Sequence, residues 1–273
     1  MICKDVLESD PAYKGLRIDC FPMRPPTRPL IPILLVAMAA VVLTTTGCAA
    51  WRIGKAGELA KLSEPLQRTP PDAALRLLIV GDSTGVGTGA STPQNSLAGL
   101  LAQAYPQLQI DNRARDGATF EGVIGQLDSL GTARYDLVLV QAGGNDVIRL
   151  RNMDTVRADI DRVTALARAR SDRVLLMPAG NVGNAPFFFA PVSWFMTSRA
   201  RDLHAAVRAA ATRHGAVYVN LFKEKDKDPF AQDPKRLNAA DGLHPSDAGY
   251  RVWFDELMAQ AQLAPVLAPA KAR

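Results

Sequence analysis

The stretch RLLIVGDS, residues 76–83, sets the expected fold of this 273-residue chain. Its apolar run is β-branched toward its end and predicts a buried strand. The strand stops at Gly81, so Ser83 lies just past a carboxyl end, where open α/β sheets place their ligands. The glycines within residues 84–89 allow a tight turn there and bring backbone N–H groups close to Ser83. We therefore expect a functional site at this edge of the sheet.

Strand-like and helix-like segments alternate along the rest of the chain. Strands are predicted at about 76–80, 107–111, 136–141, 173–177 and 216–220. Helices are predicted at about 96–105, 120–130, 155–170, 193–214 and 247–262. This alternation predicts an α/β fold in which helices cover both faces of a five-stranded, mostly parallel sheet. The segment that contains these strands and helices has the length of one domain with a sizeable core.

Ser83 is the first candidate for chemistry. A Gly-Asp-Ser sequence is also common in turns, so this motif alone is weak evidence for a nucleophile. A phosphate-binding loop is a poorer interpretation, because the next glycines are spaced G-x-G-x-G and no Gly-Lys-Ser/Thr follows. We interpret Asp82 as a residue that shapes the loop. A serine nucleophile needs a base, an orienting carboxylate and donors for the oxyanion.

Only His204, His214 and His244 can supply an imidazole base. The first two lie in an Arg- and Ala-rich helical stretch that ends before a glycine, and we predict surface or capping positions for them. His244 follows an Asp-Gly turn and precedes a proline, which together hold it on a stiff loop. Asp241 can reach the His244 ring and fix its tautomer. A plain Asp-Gly turn is the alternative for Asp241, but its pairing with His244 favours the catalytic interpretation.

Two residues are candidates for stabilising an oxyanion. Asn145 belongs to a Gly-Gly-Asn-Asp stretch that ends the strand predicted at 136–141. It offers a side-chain amide at the same sheet edge as Ser83. Gly117 follows the strand before that one, and its N–H can approach a ligand because no side chain intervenes. A loop-capping asparagine and a turn glycine are the alternatives at these positions.

The four sequence blocks that contain Ser83, Gly117, Asn145 and the Asp241–His244 pair occur in this order. Together they resemble the blocks of the SGNH (GDSL-type) hydrolase family, over about residues 75–263. The resemblance implies a three-layer α/β/α, flavodoxin-like fold. It implies catalytic roles for Ser83, Asp241 and His244, and an oxyanion hole formed by the Ser83 N–H, the Gly117 N–H and the Asn145 side chain. The fourth residue of the first block is Thr84 where the family has leucine, a position with no evident chemical role.

The predicted activity is that of a serine esterase that works through an acyl-enzyme intermediate. The family resembled here spans lipases, thioesterases, lysophospholipases and carbohydrate acetylesterases, so the resemblance leaves the substrate open. We expect an acetylesterase acting on envelope carbohydrate or, alternatively, a lysophospholipase- or thioesterase-type lipid hydrolase. A non-catalytic carbohydrate-binding or scaffold module is the alternative from another class, and the presence of all five site residues argues against it.

An aromatic segment, Asn181–Thr197, follows the fourth predicted strand. It should therefore lie at the same sheet edge as Ser83. One interpretation is a loop folded over the core. The other is an apolar wall for an acyl chain, or a lip that touches a membrane, with Phe188 and Trp194 as substrate-binding residues.

The N-terminal part of the chain differs in composition from the rest. Leu30–Thr46 is almost entirely apolar and follows Arg24 and Arg28, which is typical of a signal peptide or a membrane anchor. The sequence around Cys48 resembles the end of a bacterial lipoprotein signal, which would make Cys48 a lipidation site. An uncleaved anchor is the alternative. Either would place the rest of the chain outside the cytoplasmic membrane, on the periplasmic side of a bacterial envelope.

These features divide the chain into five parts. They are an N-terminal extension at 1–29, a signal peptide or membrane anchor at 30–48, a tether at 49–72, a hydrolase domain at 73–265 and a tail at 266–273. Met23 followed by an arginine makes a conventional signal start, so we expect translation to begin at Met23. If translation begins at Met1 instead, the extension at 1–29 would lie in the cytoplasm.

Charge and cysteine content bear on the expected partners. The 32 Lys and Arg against 27 Asp and Glu give a net charge of +5, but the basic residues are scattered over predicted helix surfaces. We therefore expect no nucleic acid partner. Cys3, Cys20 and Cys48 all precede the hydrolase domain, and the three histidines lack ligand spacing, so we expect no metal and no cofactor. The expected partners are a small-molecule, carbohydrate or lipid ester and, through the N-terminal segment, a membrane.

Overall fold

The computed structural model describes residues 30–267 and, over 30–50, mainly the backbone. The chain divides into two compact units, Met1–Thr46 and Gly47–Arg273. The first helix, α1, runs from Leu30 to Leu62 and contains Cys48. No helix within the described residues is both long and apolar enough to cross a membrane. The expected translation start at Met23 lies outside the described residues.

The sheet has the predicted architecture. Its five strands are β1 (Leu75–Gly81), β2 (Leu108–Asn112), β3 (Leu137–Gln141), β4 (Val174–Leu176) and β5 (Val217–Tyr218). They are ordered β2-β1-β3-β4-β5, and every neighbouring pair is parallel. The strand order reverses at β1, and open α/β sheets bind ligands at such a point. The prediction of an α/β fold with a parallel five-stranded sheet is thus confirmed.

Ten further helices follow α1 within the described residues. They are α2 (Ser83–Val86), α3 (Leu97–Ala104), α4 (Phe120–Asp128), α5 (Gly144–Ile148), α6 (Met153–Arg168), α7 (Val192–His214), α8 (Pro229–Gln232), α9 (Pro234–Leu237), α10 (Asp247–Ala261) and α11 (Ala264–Leu267). Single 3₁₀ turns occur at Pro93–Asn95, Val182–Asn184 and Lys225–Lys227. The five long helices that the sequence predicts correspond to α3, α4, α6, α7 and α10.

The two faces of the sheet carry separate apolar cores. In β1, Leu78 and Val80 belong to one core and Leu77 and Ile79 to the other, because successive side chains of a strand point to opposite faces. Helices α4, α6 and α7 bury their apolar side chains in the first core. Helices α3 and α10 do so in the second. The sequences of β1 and β3 are therefore almost continuous apolar runs, as expected for strands that are covered on both faces.

The strand register brings the carboxyl ends of β1 and β3 together. Gly81 of β1 pairs with Gln141 of β3, and the Asp82 N–H donates to the Gln141 carbonyl at 2.8 Å. The residues that follow these two strands, Ser83 and Asn145 among them, therefore lie at one edge of the sheet. This is the edge at which the sequence predicts the functional site.

The expected tether at 49–72 makes contacts with the domain that follows it. Its first part is the end of α1, and Arg68 forms an antiparallel bridge with Ile110 of the edge strand β2. The Gln67 side chain donates to the Asn112 carbonyl at 2.6 Å and accepts from the Asn112 N–H at 3.1 Å. Residues near 67–68 are therefore fixed on the edge of the sheet.

Candidate active site

Ser83 is the first residue of α2, directly beyond β1. The preceding Asp82 caps this helix, since its Oδ1 atom accepts from the Thr84 N–H at 2.9 Å and from the Thr84 hydroxyl at 2.7 Å. Burial raises the pKa of the Asp82 carboxyl to about 6, against the opposing effect of the hydrogen bonds from Thr84. Thr84, where leucine was expected, thus helps to fix the turn that carries Ser83.

A chain of hydrogen bonds joins Ser83 to His244 and Asp241. The Nε2 atom of His244 lies 2.8 Å from Ser83 Oγ, and Nδ1 lies 2.5 Å from Asp241 Oδ2. An ionised carboxylate can only accept, so the His244 Nδ1–H donates to Asp241 and Nε2 accepts from the Ser83 hydroxyl. Such an arrangement can take the proton from a serine nucleophile as it attacks.

Asp241 is buried, and three donors surround its carboxyl group. Its Oδ1 atom accepts from the Leu243 N–H at 2.9 Å and from the His244 N–H at 3.1 Å. Burial raises the pKa of this carboxyl, but the hydrogen bond and charge of His244 and the two backbone donors outweigh it and leave the pKa below its ordinary value. Asp241 therefore stays ionised at neutral pH and holds the His244 ring in one orientation.

The glycine-rich loop after α2 packs directly against His244. Gly89 has φ of +95°, and a Cβ atom there would lie 2.4 Å from the Pro245 carbonyl oxygen and 2.9 Å from the His244 Cβ. The Tyr250 hydroxyl donates to the Thr88 carbonyl at 2.8 Å and fixes the loop from α10. Gly89 is needed for both the left-handed backbone and this close approach.

Gly117 and Asn145 line the same cavity as Ser83. Gly117 has φ of +74°, and a Cβ atom there would lie 2.9 Å from Nη2 of Arg149. The Asn145 Nδ2 donates to the Ala118 carbonyl at 3.1 Å, which fixes the amide and leaves one of its N–H bonds unused. Of the residues described, none accepts a hydrogen bond from the Ser83 or Gly117 N–H. These donors are of the kind that stabilises an oxyanion.

The cavity beside Ser83 has a volume of about 480 Å³ and a mainly apolar wall. Its apolar lining includes Ile148, Val182, Phe187, Leu221, Leu243 and Trp253. Of the aromatic segment, Phe188 packs against the core and Trp194 is 72% exposed. Neither side chain lines the cavity, whereas their neighbour Phe187 does. From the aromatic segment, the residue that lines this wall is therefore Phe187, and not Phe188 or Trp194, which the sequence suggested.

The other two histidines lie outside this hydrogen-bonded chain. The prediction of a surface or capping position is wrong for His204, which is 3% exposed. Its Nδ1 atom lies 2.7 Å from the Tyr218 hydroxyl and its Nε2 atom 2.8 Å from the Ala179 carbonyl, and burial lowers its pKa to about 4. His214 lies at the predicted end of α7, 2.9 Å from Asp161. Across residues 30–267, no group of three or more His, Cys, Asp or Glu side chains is placed to hold a metal ion.

Sequence reasoning missed two features of the site. The end of α1 contributes Ile53, Ala56, Gly57 and Ala60 to the cavity wall. In addition, buried Asp146 accepts from the Phe120 N–H at 3.1 Å and from the Arg151 Nη1 at 3.0 Å, which ties the residues after β3 to α4. The only signal for Asp146 was its place in the Gly-Gly-Asn-Asp stretch. The residues from α1 gave little signal, because three of the four are small and all lie before the predicted domain.

Comparison with known proteins adds three findings. The profile of the GDSL-like Lipase/Acylhydrolase family matches residues 79–252. The "GDSL-like esterase Rv1075c" of Mycobacterium tuberculosis is 26% identical over 193 residues, which cover 67% of this chain and 60% of that protein. "Esterase TesA" of Pseudomonas aeruginosa is 31% identical over 113 residues, which cover 40% of this chain and 56% of that protein. The chain thus spans less than two thirds of the length of either relative.

A solved structure shows the same fold. The crystal structure of TesA superposes with a TM-score of 0.56 at 22% identity, covering 71% of this chain and 99% of that one. At this level of identity the likeness concerns the fold alone. It agrees with the parallel sheet and the helix layers described above.

Proposed function

The chain belongs to the GDSL-like lipase/acylhydrolase family, and from that premise we propose that it is a serine esterase that hydrolyses carboxylic esters through an acyl-enzyme. The observation that carries the proposal is the hydrogen-bonded chain from Asp241 through His244 to Ser83. It borders a cavity large enough for a small-molecule ester. The names of the two relatives, both esterases, point to the same class of reaction.

The proposed reaction begins with attack of the Ser83 Oγ on the acyl carbon. His244 Nε2 takes the hydroxyl proton as the bond forms, and Asp241 stabilises the resulting imidazolium. The tetrahedral oxyanion receives hydrogen bonds from the Ser83 N–H, the Gly117 N–H and the Asn145 amide. His244 then gives its proton to the leaving alcohol, and the C–O bond to that alcohol breaks. A water molecule then attacks the acyl carbon while His244 takes one of its protons. The bond from that carbon to Ser83 Oγ breaks, His244 returns the proton to Ser83 Oγ, and the acid leaves.

The cavity favours acyl groups longer than acetate. An acetyl group would leave most of the 480 Å³ empty and most of the apolar wall without contact. Apolar contacts with a longer chain would remove that wall from water, at about 25 cal/mol for each Å² buried. We therefore place a lipid-type ester or thioester ahead of an acetylated carbohydrate as the substrate class.

A series of p-nitrophenyl esters from acetate to palmitate tests this function. The full chain is compared with the Ser83→Ala variant at equal concentration, and folding of both is checked by circular dichroism. We expect hydrolysis that depends on Ser83 and a kcat/KM that peaks beyond acetate. Equal rates for the two proteins would overturn the serine mechanism. A maximum at acetate would restore the acetylesterase interpretation.

For the location, we propose a bacterial envelope protein whose catalytic domain lies outside the cytoplasmic membrane. The support is the apolar segment Leu30–Thr46 with Arg24 and Arg28 before it. Lipidation at Cys48 is part of this proposal. Intact mass of the protein purified from membranes measures both, since a processed lipoprotein begins at Cys48 with added acyl mass. A soluble product that retains its N-terminal residues would contradict both.

A further inference from the structure

The last turns of α1 form one wall of the cavity beside Ser83. Ile53, Ala56, Gly57 and Ala60 all line that cavity. Their spacing places them on one face of the helix, because residues three, four and seven positions apart lie above one another. Ala56 and Ala60 are half-buried, whereas Ile53 is 63% exposed and lies at the rim. Small residues therefore stand where α1 approaches the cavity most closely.

Arg52 attaches this part of α1 to the aromatic segment. Its Nη1 donates to the Pro186 carbonyl, and its guanidinium lies 4.5 Å from the centre of the Phe189 ring. The next residue after Pro186, Phe187, lines the cavity and donates its N–H to the Gly242 carbonyl at 2.9 Å. A continuous set of contacts thus runs from α1 to the loop that carries Asp241 and His244.

The chain beyond α1 is also fixed. Leu66 packs against the second core, and Arg68 pairs with Ile110 of β2. The segment 52–68 is therefore held at both ends, by Arg52 at one end and by Leu66 and Arg68 at the other. This segment lies before residues 79–252, which match the family profile.

We propose that the face of α1 formed by Ile53, Ala56, Gly57 and Ala60 is the wall that sets the length of acyl chain the enzyme accepts. This inference rests on the proposed esterase function. The methyl side chains of Ala56 and Ala60 and the lack of a side chain at Gly57 leave space for the acyl chain, and larger side chains there would shorten the acyl chain that fits. Ile53 at the rim contacts the part of the substrate that enters last.

The test is a change of chain-length preference in the full-length protein. Ala56→Phe and Ala60→Phe fill the cavity, so we expect kcat/KM to fall about tenfold or more on p-nitrophenyl decanoate and palmitate and less than about threefold on acetate. Glu58→Phe is the matched control, because Glu58 is exposed on the opposite face and pairs there with Lys55. It should leave the profile unchanged. An unchanged profile in both cavity variants, with Tm intact, would overturn the wall.

Arg52→Ala provides a second measurement if the phenylalanine variants fold poorly. Loss of its contacts with Pro186 and Phe189 should loosen the wall, so we expect KM for long esters to rise several-fold more than KM for acetate. Arg52→Lys retains the charge over Phe189 and should restore part of the affinity. The proposal is overturned if KM for long esters does not change in Arg52→Ala.

The proposed role of the α1 wall and the proposed esterase activity can be tested separately. If the wild-type chain shows no hydrolysis that depends on Ser83, the proposed function fails. Binding of cis-parinaric acid and its displacement by fatty acids of graded length then measure the cavity directly. Ala60→Phe should weaken displacement by long fatty acids and leave short ones unaffected. If wild type, Ala60→Phe and Glu58→Phe give the same displacement curve, the α1 face does not limit the chain length and the proposal is wrong.

Discussion

The Nε2 atom of His244 lies 2.8 Å from the Oγ atom of Ser83, although 161 positions of sequence separate the two residues. The contact forms because Ser83 begins a helix at the carboxyl end of β1 while His244 lies in the loop before α10. Gly89 permits that loop to approach the glycine-rich turn after Ser83. The fold thus brings a residue at the end of a strand and a residue in a distant loop into hydrogen-bond contact.

Removal of the hydroxyl group should abolish turnover. In Ser83→Ala, His244 keeps its bond to Asp241 but has no proton to accept, so we expect kcat to fall by roughly three orders of magnitude or more. The measurement is kcat on p-nitrophenyl butyrate, together with Tm. Because Ser83 is a small residue at a helix start, Tm should change little, and a large drop in Tm would mean that lost folding rather than lost chemistry explains the result.

Asn145 should contribute mainly to the transition state. Its amide is held by Ala118, and its remaining N–H would stabilise charge that develops only on the oxyanion. We expect Asn145→Ala to lower kcat about a hundredfold or more with little change in KM. Asn152→Ala is the control, since Asn152 caps α6 by accepting from the Asp154 and Thr155 N–H groups. It should cost about 1 kcal/mol of stability and leave kcat unchanged.

Asp82 should make folding stability fall as the pH rises. Its pKa is about 6 in the folded chain and 3.8 for the free group, so between these values the folded state binds more protons than the unfolded state. The contribution of Asp82 to the free energy of unfolding is fully present below pH 3.8 and is lost by about pH 6. The change is about 3 kcal/mol. Asp82→Asn retains a helix cap and cannot titrate. Urea unfolding of both proteins at pH 4 and pH 7 measures the difference, and parallel pH profiles would contradict the prediction.

His204 should act in the opposite direction. Burial lowers its pKa from 6.5 to about 4, so below pH 6.5 the unfolded state binds the proton more readily. The contribution of His204 to the free energy of unfolding is fully present above pH 6.5. It should fall by about 3 kcal/mol as the pH drops to about 4. In His204→Gln this loss should disappear, while kcat at pH 8 should stay within a few-fold of wild type, because His204 touches neither Ser83 nor His244. A variant that remains as acid-sensitive as wild type would contradict the assignment.

The strands and the candidate triad were predictable from local patterns, since apolar runs ended at short polar blocks. The last two strands are shorter than predicted, because only Val174–Leu176 and Val217–Tyr218 pair in the sheet while the apolar pattern continues beyond them. His204 was misplaced for a different reason. The Arg- and Ala-rich composition of α7 hid an apolar stripe of Ala200, Leu203, Val207 and Ala211, which faces the core together with His204.

The wall from α1 could not be predicted by the same means. Its fixing contact joins Arg52 to Pro186, which are 134 positions apart, and neither residue belongs to a motif. Ile53, Ala56, Gly57 and Ala60 have the spacing of one helix face, but three of the four residues are small, so the pattern does not distinguish a packed helix from a tether. The contact depends on where the aromatic segment folds, and that is decided by tertiary packing.

Gly89 offers a direct test of how the fold positions His244. Gly89→Ala would place a Cβ atom 2.4 Å from the Pro245 carbonyl oxygen, so the histidine loop must move. We expect a stability loss of about 3 kcal/mol and a large fall in kcat. Gly131→Ala is the matched control, because Gly131 has φ of +57° with no atom within 4 Å of the added Cβ. It should cost about 1 kcal/mol through backbone strain alone and leave kcat unchanged. If the two variants behave alike in urea unfolding and in kcat, close packing at Gly89 does not hold the catalytic histidine.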